Sequence, residues 1–218
     1  KAQNVVSEAN RWNVYATGYP SYIATETYII EGDSSFNGKI YKKIWQTYDS
    51  VDVIWSYKGL LREDSNRVYY IPPGGTEGIL YDFNAEPGDT VMIINMFCYE
   101  PVSVIISAID TVEYMGVNRK RWFLGDNWSS DFWIDGIGGS LGPLHSAYYL
   151  CIVCPTWDLL CYHRNDTLLY MKEGLNKCYY SSVGVDEGNG LKKYNLYPNP
   201  ATEIVHIQHQ QEIDRIEI

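Results

Sequence analysis

Turn-forming residues recur along this chain at roughly ten-residue spacing, which leaves no room for long helices and asks for many short strands. The punctuation is carried by Gly32-Asp33, Asn37-Gly38, Asp64-Ser65-Asn66, Pro72-Pro73-Gly74-Gly75, Pro87-Gly88-Asp89, Gly125-Asp126-Asn127 and Asn165-Asp166. Between these lie runs rich in Tyr, Val and Ile. Twenty Tyr and seven Trp raise the aromatic share to 15%, and aromatic side chains suit a pleated, half-buried surface better than a helix. The expected fold class is all-β: an antiparallel meander that closes as an up-and-down barrel or splits into a sandwich, the sandwich being favoured. Strand-helix-strand alternation of the length a parallel sheet needs is not seen, which disfavours doubly wound folds.

Single segments refine this reading. In Gly78 to Asn84, period two puts Ile79, Tyr81 and Phe83 on one face and Asp82 and Asn84 on the other, a half-buried strand. Val102, Val104 and Ile106 alternate in the same way, and Leu159 to Tyr162 faces Thr167 to Met171 across a tight turn. Ile40, Tyr41, Ile44 and Trp45 repeat instead at one and four, which suggests a short helix. From Ser181 the chain becomes small, polar and aperiodic, the texture of a connector. The expected organisation is a β domain over 1–180, a linker over 181–193 and a separate segment over 194–218.

Charge narrows the partners. The 17 Lys and Arg face 27 Asp and Glu, a net charge of −10, which opposes binding to phosphate backbones and argues against nucleic acid. No apolar run reaches the 18 or so residues a membrane-spanning helix needs, so no membrane span is expected.

Several residue groups invite a chemical reading. Gly138-Gly139-Ser140-Leu141-Gly142, with Asp135 and His145 nearby, has the spacing of a nucleophile elbow. An elbow needs a strand before the serine and a helix after it, and Gly142-Pro143 forbids the helix, so a glycine-rich bend is the preferred reading. Asn127, Ser129, Asp131 and Asp135 offer oxygens at alternating positions but lack the turn glycine and bidentate glutamate of a calcium loop. His206 and His209 are three apart in a strand-like run and point to opposite faces. No metal or cofactor is therefore expected. Glu63, Asp64, Asp82, Glu86 and Asp89 are candidates for the acid/base pair of a glycosidase, though most sit at turns, where a carboxylate accepts backbone N–H groups. Trp45, Trp55, Trp122, Trp128 and Trp133 are candidates for a sugar-stacking platform, against core packing. Five cysteines cannot all pair within one chain. Cys151-Ile152-Val153-Cys154 lacks the context of a redox or zinc site and reads as buried free thiols in a strand.

The last segment carries the most specific motif. Leu196-Tyr197-Pro198-Asn199-Pro200-Ala201-Thr202 is followed by an alternating run from Glu203 to Gln208, and its two prolines fix φ and impose an extended lead-in. This resembles the opening of the type A C-terminal sorting domain of the type IX secretion system. Such signals run on through several more strands, so residues 194–218 are expected to be the first part of one. A second resemblance, over roughly residues 28–180, is to a secreted Bacteroidetes module of unknown activity. It is carried by Gly59-Leu60-Leu61-Arg62-Glu63, Val68-Tyr69-Tyr70, Leu80-Tyr81-Asp82-Phe83, Gly88-Asp89-Thr90, Trp133-Ile134-Asp135-Gly136-Ile137-Gly138 and Leu160-Cys161-Tyr162.

These resemblances imply an exported protein, secreted or held at the outer-membrane surface, with the type IX machinery as a partner. They also imply a Cys161–Cys178 disulfide. A chain that begins at Lys1 is compatible with an export signal removed upstream. The function expected is binding or scaffolding, toward a glycan or a protein at the cell surface. A secreted hydrolase, glycosidase-like or serine-dependent, is the alternative, and a surface-layer component is a third reading.

Overall fold

A computed structural model describes residues 4–18, 22–48, 54–98, 100–125, 131–152, 155–180, 195–197 and 206–208. The chain divides into two units, Lys1–Ser182 and Val183–Ile218.

The first unit is all-β and built from two antiparallel sheets. Eight strands form the larger sheet: β1 (Asn10–Gly18), β2 (Tyr22–Phe36), β3 (Lys39–Thr47), β4 (Ser56–Asp64), β5 (Arg67–Ile71), β6 (Gly78–Asp82), β12 (Thr156–Arg164) and β13 (Thr167–Met171). Their order is β13-β12-β1-β2-β3-β4-β5-β6. The smaller sheet runs β11-β10-β9-β8-β7, from β7 (Thr90–Ile93), β8 (Val102–Tyr114), β9 (Val117–Leu124), β10 (Phe132–Ile134) and β11 (Gly138–Gly139). One 3₁₀ turn, Tyr148–Leu150, follows β11.

The turn signals account for the hairpins. Asn37-Gly38, Ser65-Asn66 and Asn165-Asp166 all take positive φ, the geometry of the tight turns whose twist matches that of paired strands. Met115-Gly116 does the same between β8 and β9, a turn without a strong sequence signature. Extra residues interrupt the pairing at Asn13/Val14, Ile30/Asp33, Ile44/Trp45 and Val68/Tyr69, and each bends its strand.

One core lies between the sheets. Trp12, Val14, Tyr28, Ile30, Ile44, Leu61 and Tyr70 from the larger sheet meet Val104, Ile106, Trp122 and Trp133 from the smaller. The core is aromatic and its polar tips are satisfied, as burial of Trp and Tyr requires. Trp12 Nε1 donates to Ile137 O (2.7 Å), Trp122 Nε1 to Ala85 O (3.0 Å), Trp133 Nε1 to Ser146 Oγ (2.7 Å) and Tyr162 Oη to Asn10 Oδ1 (2.8 Å).

Three expectations are corrected. Ile40 to Trp45 lies within strand β3 and not in a helix. The helix-like spacing arises because β3 buries residues on both faces: Ile44 joins the main core, while Tyr41 packs with Leu60 and Ile71 in a second cluster. The segment from Gly78 is more than half buried, because Leu80 and Tyr81 are both core residues. Cys151 is neither free nor in a strand: it sits just after the 3₁₀ turn, disulfide-bonded to Cys98. A second bridge joins Cys161, at 0% exposure in β12, to Cys178. Cys154 is the remaining cysteine and lies outside the described residues.

In the second unit, β14 (Asn195–Tyr197) pairs antiparallel with β15 (His206–Gln208), Leu196 opposite Ile207. Pro198, Asn199, Pro200, Ala201, Thr202 and His209 lie outside the described residues. Among those residues no helix is long and apolar enough to cross a membrane, which says nothing of a membrane β-barrel.

Candidate binding face

Two places concentrate functional groups, one sealed inside the domain and one open to solvent. The sealed one is built on β2. Period two places Glu26 on the inward side with Tyr28 and Ile30, a charge where the pattern calls for a hydrophobe. Its carboxylate is satisfied on every side. Trp157 Nε1 donates to Oε1 (2.9 Å), Tyr28 Oη donates to Oε2 (2.7 Å), and His145 Nε2 lies 3.3 Å from Oε2. Burial raises the Glu26 pKa, but the His145 hydrogen bond and charge, with Trp157 and Tyr28, outweigh it and hold the group below its ordinary value. His145 is packed against Gly142, where an added Cβ would come within 2.6 Å of Nδ1. Gln46, directly opposite Tyr28 in register, is buried beside this cluster.

The serine of the elbow-like motif is not part of that cluster. Ser140 Oγ donates to Asp131 Oδ1 (3.0 Å) and accepts from Phe132 N (3.0 Å), while Asp131 Oδ2 accepts from Ala147 N (2.7 Å). Ser140 thus ties a buried bend together, its hydrogen-bonded acid is Asp131 and not Asp135, and His145 serves Glu26. Burial pushes the Asp131 pKa up to about 7, against the lowering effect of these hydrogen bonds. Asp135 is half-buried, and Arg119 Nη1 donates to its carbonyl oxygen (2.7 Å). Asn127 and Ser129 lie outside the described residues, and among those residues no group of three or more His, Cys, Asp or Glu is placed to hold a metal ion.

The turn carboxylates have local duties. Glu63 accepts from Val6 N (2.9 Å), and burial raises its pKa. Asp64 pairs with Arg62 (3.2 Å), Asp82 with Arg67 (2.9 Å), and Asp89 accepts from Glu86 N (2.9 Å) to close the turn that both residues span. A cleft of 730 Å³ opens between the Pro72-Pro73-Gly74-Gly75 loop and the Met96-Phe97 segment. Glu100 is the one carboxylate among its described lining residues, which leaves it short of the two carboxylates that acid/base glycoside cleavage uses.

No family model, curated protein or solved structure matches this chain.

The open place is the outer face of the larger sheet, where the tryptophans divide into two kinds. Trp122 and Trp133 are core residues, and Trp128 lies outside the described residues. Trp45 and Tyr57 are cross-strand partners on β3 and β4. Their side is fixed by Ile44, which points into the core and sends its neighbour Trp45 outward. The two rings touch at 5.6 Å between centroids with planes inclined at 64°. Trp45 Nε1 is anchored on Glu31 O (3.0 Å), which fixes the ring's orientation. Tyr57 is 40% exposed, and Trp55, two residues ahead of it, is 36% exposed. Isolated exposed apolar residues need no explanation, but neighbouring aromatic rings fixed on a rigid sheet do. Sequence alone could not separate Trp45 and Trp55 from the core tryptophans, since Trp45 lay in the segment with misleading periodicity.

Proposed function

We propose that this chain is a secreted or cell-surface protein whose β domain acts by binding, and that its C-terminal segment addresses it to the type IX secretion machinery. The contact of the half-buried Trp45 with the exposed Tyr57 carries the binding part of this reading. A sheet face that spends aromatic side chains on solvent presents a preformed, low-entropy contact surface. Export is supported by two disulfides, which persist in oxidising compartments, and by the Leu196-Tyr197-Pro198-Asn199-Pro200-Ala201-Thr202 motif.

The test uses cells of the producing strain. Deleting everything after Tyr180 from the gene should leave the product in the periplasm, protected from protease added to intact cells. A truncated product that still reaches the surface would refute the sorting role. The purified full chain, added to cells lacking the gene, should adhere, and Trp45→Ala combined with Tyr57→Ala should abolish adhesion. Undiminished adhesion of the double variant would refute the binding face.

A further inference from the structure

We propose that the cleft between the Pro72-Pro73-Gly74-Gly75 loop and the Met96-Phe97 segment binds a small organic ammonium ion, an amine carried on an apolar body. The cleft shares no described lining residue with the Trp45–Tyr57 contact, so this site goes beyond the binding reading above. Its volume of 730 Å³ lies within the range that encloses small molecules, about 300–1,000 Å³. Ile94, Met96, Phe97 and Ile152 supply its apolar part, side chains that offer contact area and no hydrogen-bond donor.

The donors along the walls decide what the polar part of the ligand must be. Pro72, Pro73 and Pro101 have no N–H to give. The N–H groups of Gly75, Ile94, Met96 and Ile152 are spent on the carbonyl oxygens of Pro72, Ile79, Leu144 and Tyr148 (2.9, 2.7, 3.2 and 3.1 Å). Those of Phe97 and Cys98 both go to Asn95 Oδ1 (2.8 and 2.9 Å), and Asn95 Nδ2 donates to Ser146 O (2.8 Å). The walls are thus poor in donors, while one full negative charge stays open. Glu100, exposed, is the one charged residue among the described lining residues, and it has no ion pair among the described residues. A carboxylate or phosphate would meet that charge, and the field of a chain of net charge −10, with few N–H groups to receive it. A sugar hydroxyl, which accepts as well as donates, meets the same shortage. An ammonium brings its own donors. They serve Glu100, the positive charge is drawn to the ring of the half-buried Phe97, and the apolar body covers the floor.

The walls are fixed before a ligand arrives. Cys98 is bonded to Cys151, and the Phe97 ring rests on Trp157 at 4.5 Å between centroids. The opposite loop is pinned just past Thr76 by Glu77, which accepts from Tyr41 Oη (2.7 Å) and pairs with Lys39 and Arg62 (2.8 Å each). Walls held in this way need little ordering on binding.

The experiment is titration calorimetry of the full chain with three probes of similar shape: 2-phenylethylammonium, 2-phenylethanol and phenylacetate. The ammonium is expected to bind about fivefold or more tighter than the alcohol, and phenylacetate not to bind. The preference should shrink as salt is added. Glu100→Gln should erase it, whereas Glu86→Gln, which removes an exposed charge outside the described lining, should keep it. Thr76→Trp, which places a bulky ring on the exposed lip, should block the ammonium and the alcohol alike. Unfolding midpoints of all variants separate loss of the site from loss of the fold. Absence of ammonium binding, equal affinity for ammonium and alcohol, or a preference that survives Glu100→Gln overturns the proposal. Loss of the preference in Glu86→Gln as much as in Glu100→Gln also overturns it, since the net charge and not the cleft would then be acting. The Trp45–Tyr57 reading stands or falls separately, on adhesion.

Discussion

Removing the Glu26 carboxylate should cost this domain more stability than any single surface change, and the size of the loss follows from its partners. Glu26→Ala deletes the acceptor of Trp157 Nε1, Tyr28 Oη and His145 Nε2 at one stroke. All three donors are enclosed in the core, so water cannot replace the lost partner. Breaking a buried, charged network by deleting one member costs about 3–5 kcal/mol. A value near 4 kcal/mol corresponds to roughly 12 °C in Tm for a domain of this size. Glu26→Gln keeps one carbonyl oxygen but turns an NH₂ toward one of the donors, and should cost about half as much. The pH dependence has a definite sign. The folded pKa of Glu26 is depressed, so its contribution is present above the unfolded value of about 4.3 and is lost as pH falls through the folded value. Urea unfolding of wild type and both variants at pH 7 and at pH 3 measures this. A Glu26→Ala penalty below about 1 kcal/mol at pH 7, or one that does not shrink in acid, would refute the assignment.

Three further outcomes follow from other parts of the domain. Asp131 behaves oppositely to Glu26, because burial raises its folded pKa to about 7; it holds a proton that the unfolded chain releases, so stability should fall as pH rises from about 4 to 7, and Asp131→Asn should flatten that slope in urea titrations. Loop-closure entropy gives about 3 kcal/mol for the Cys161–Cys178 bridge, separation 17, and about 4 for Cys98–Cys151, separation 53; paired Ser variants should rank in that order in chemical denaturation. Gly59 has φ +125° and an added Cβ would press into the Ile71 carbonyl oxygen, so Gly59→Ala should cost about 3 kcal/mol, whereas Gly38→Ala, in open space at a turn, should cost clearly less in the same assay.

The architecture was legible because hairpin chemistry is local. Asn37-Gly38 and Asn165-Asp166 declare tight turns by themselves, and the alternation of Val102 to Ile106 declares a buried face: Val104 and Ile106 are buried and Ile105 is exposed. Long-range facts were not legible. The Cys98–Cys151 bridge joins a loop to a 3₁₀ turn 53 residues away, and no spacing rule predicts such a pairing. The Glu26 cluster draws its members from positions 26, 28, 145 and 157; its one sequence trace is a glutamate at an inward position of β2. The apparent helix at Ile40 to Trp45 failed for a physical reason as well: a strand covered on both faces loses its period of two. The partial cover of its outer face by Tyr41, Leu60 and Ile71 hid Trp45, the half-buried residue of the proposed binding face.

The Cys161–Cys178 staple decides how this domain would bear a pull on its C-terminal end. The last described residues of the domain are held at two points: Tyr180 exchanges hydrogen bonds with Thr25 of β2 (2.8 and 2.7 Å), and Cys178 is bonded covalently to β12. Strand β13 sits at the sheet's edge, and an edge strand is the one that peels away one hydrogen bond at a time. Yet β13 lies wholly inside the loop that the staple closes. Tension applied beyond Tyr180 therefore enters the sheet at β2 and then at β12, each flanked by a strand on either side. The edge strand β13 is thus kept off the load path by a covalent bond rather than by its own hydrogen bonds.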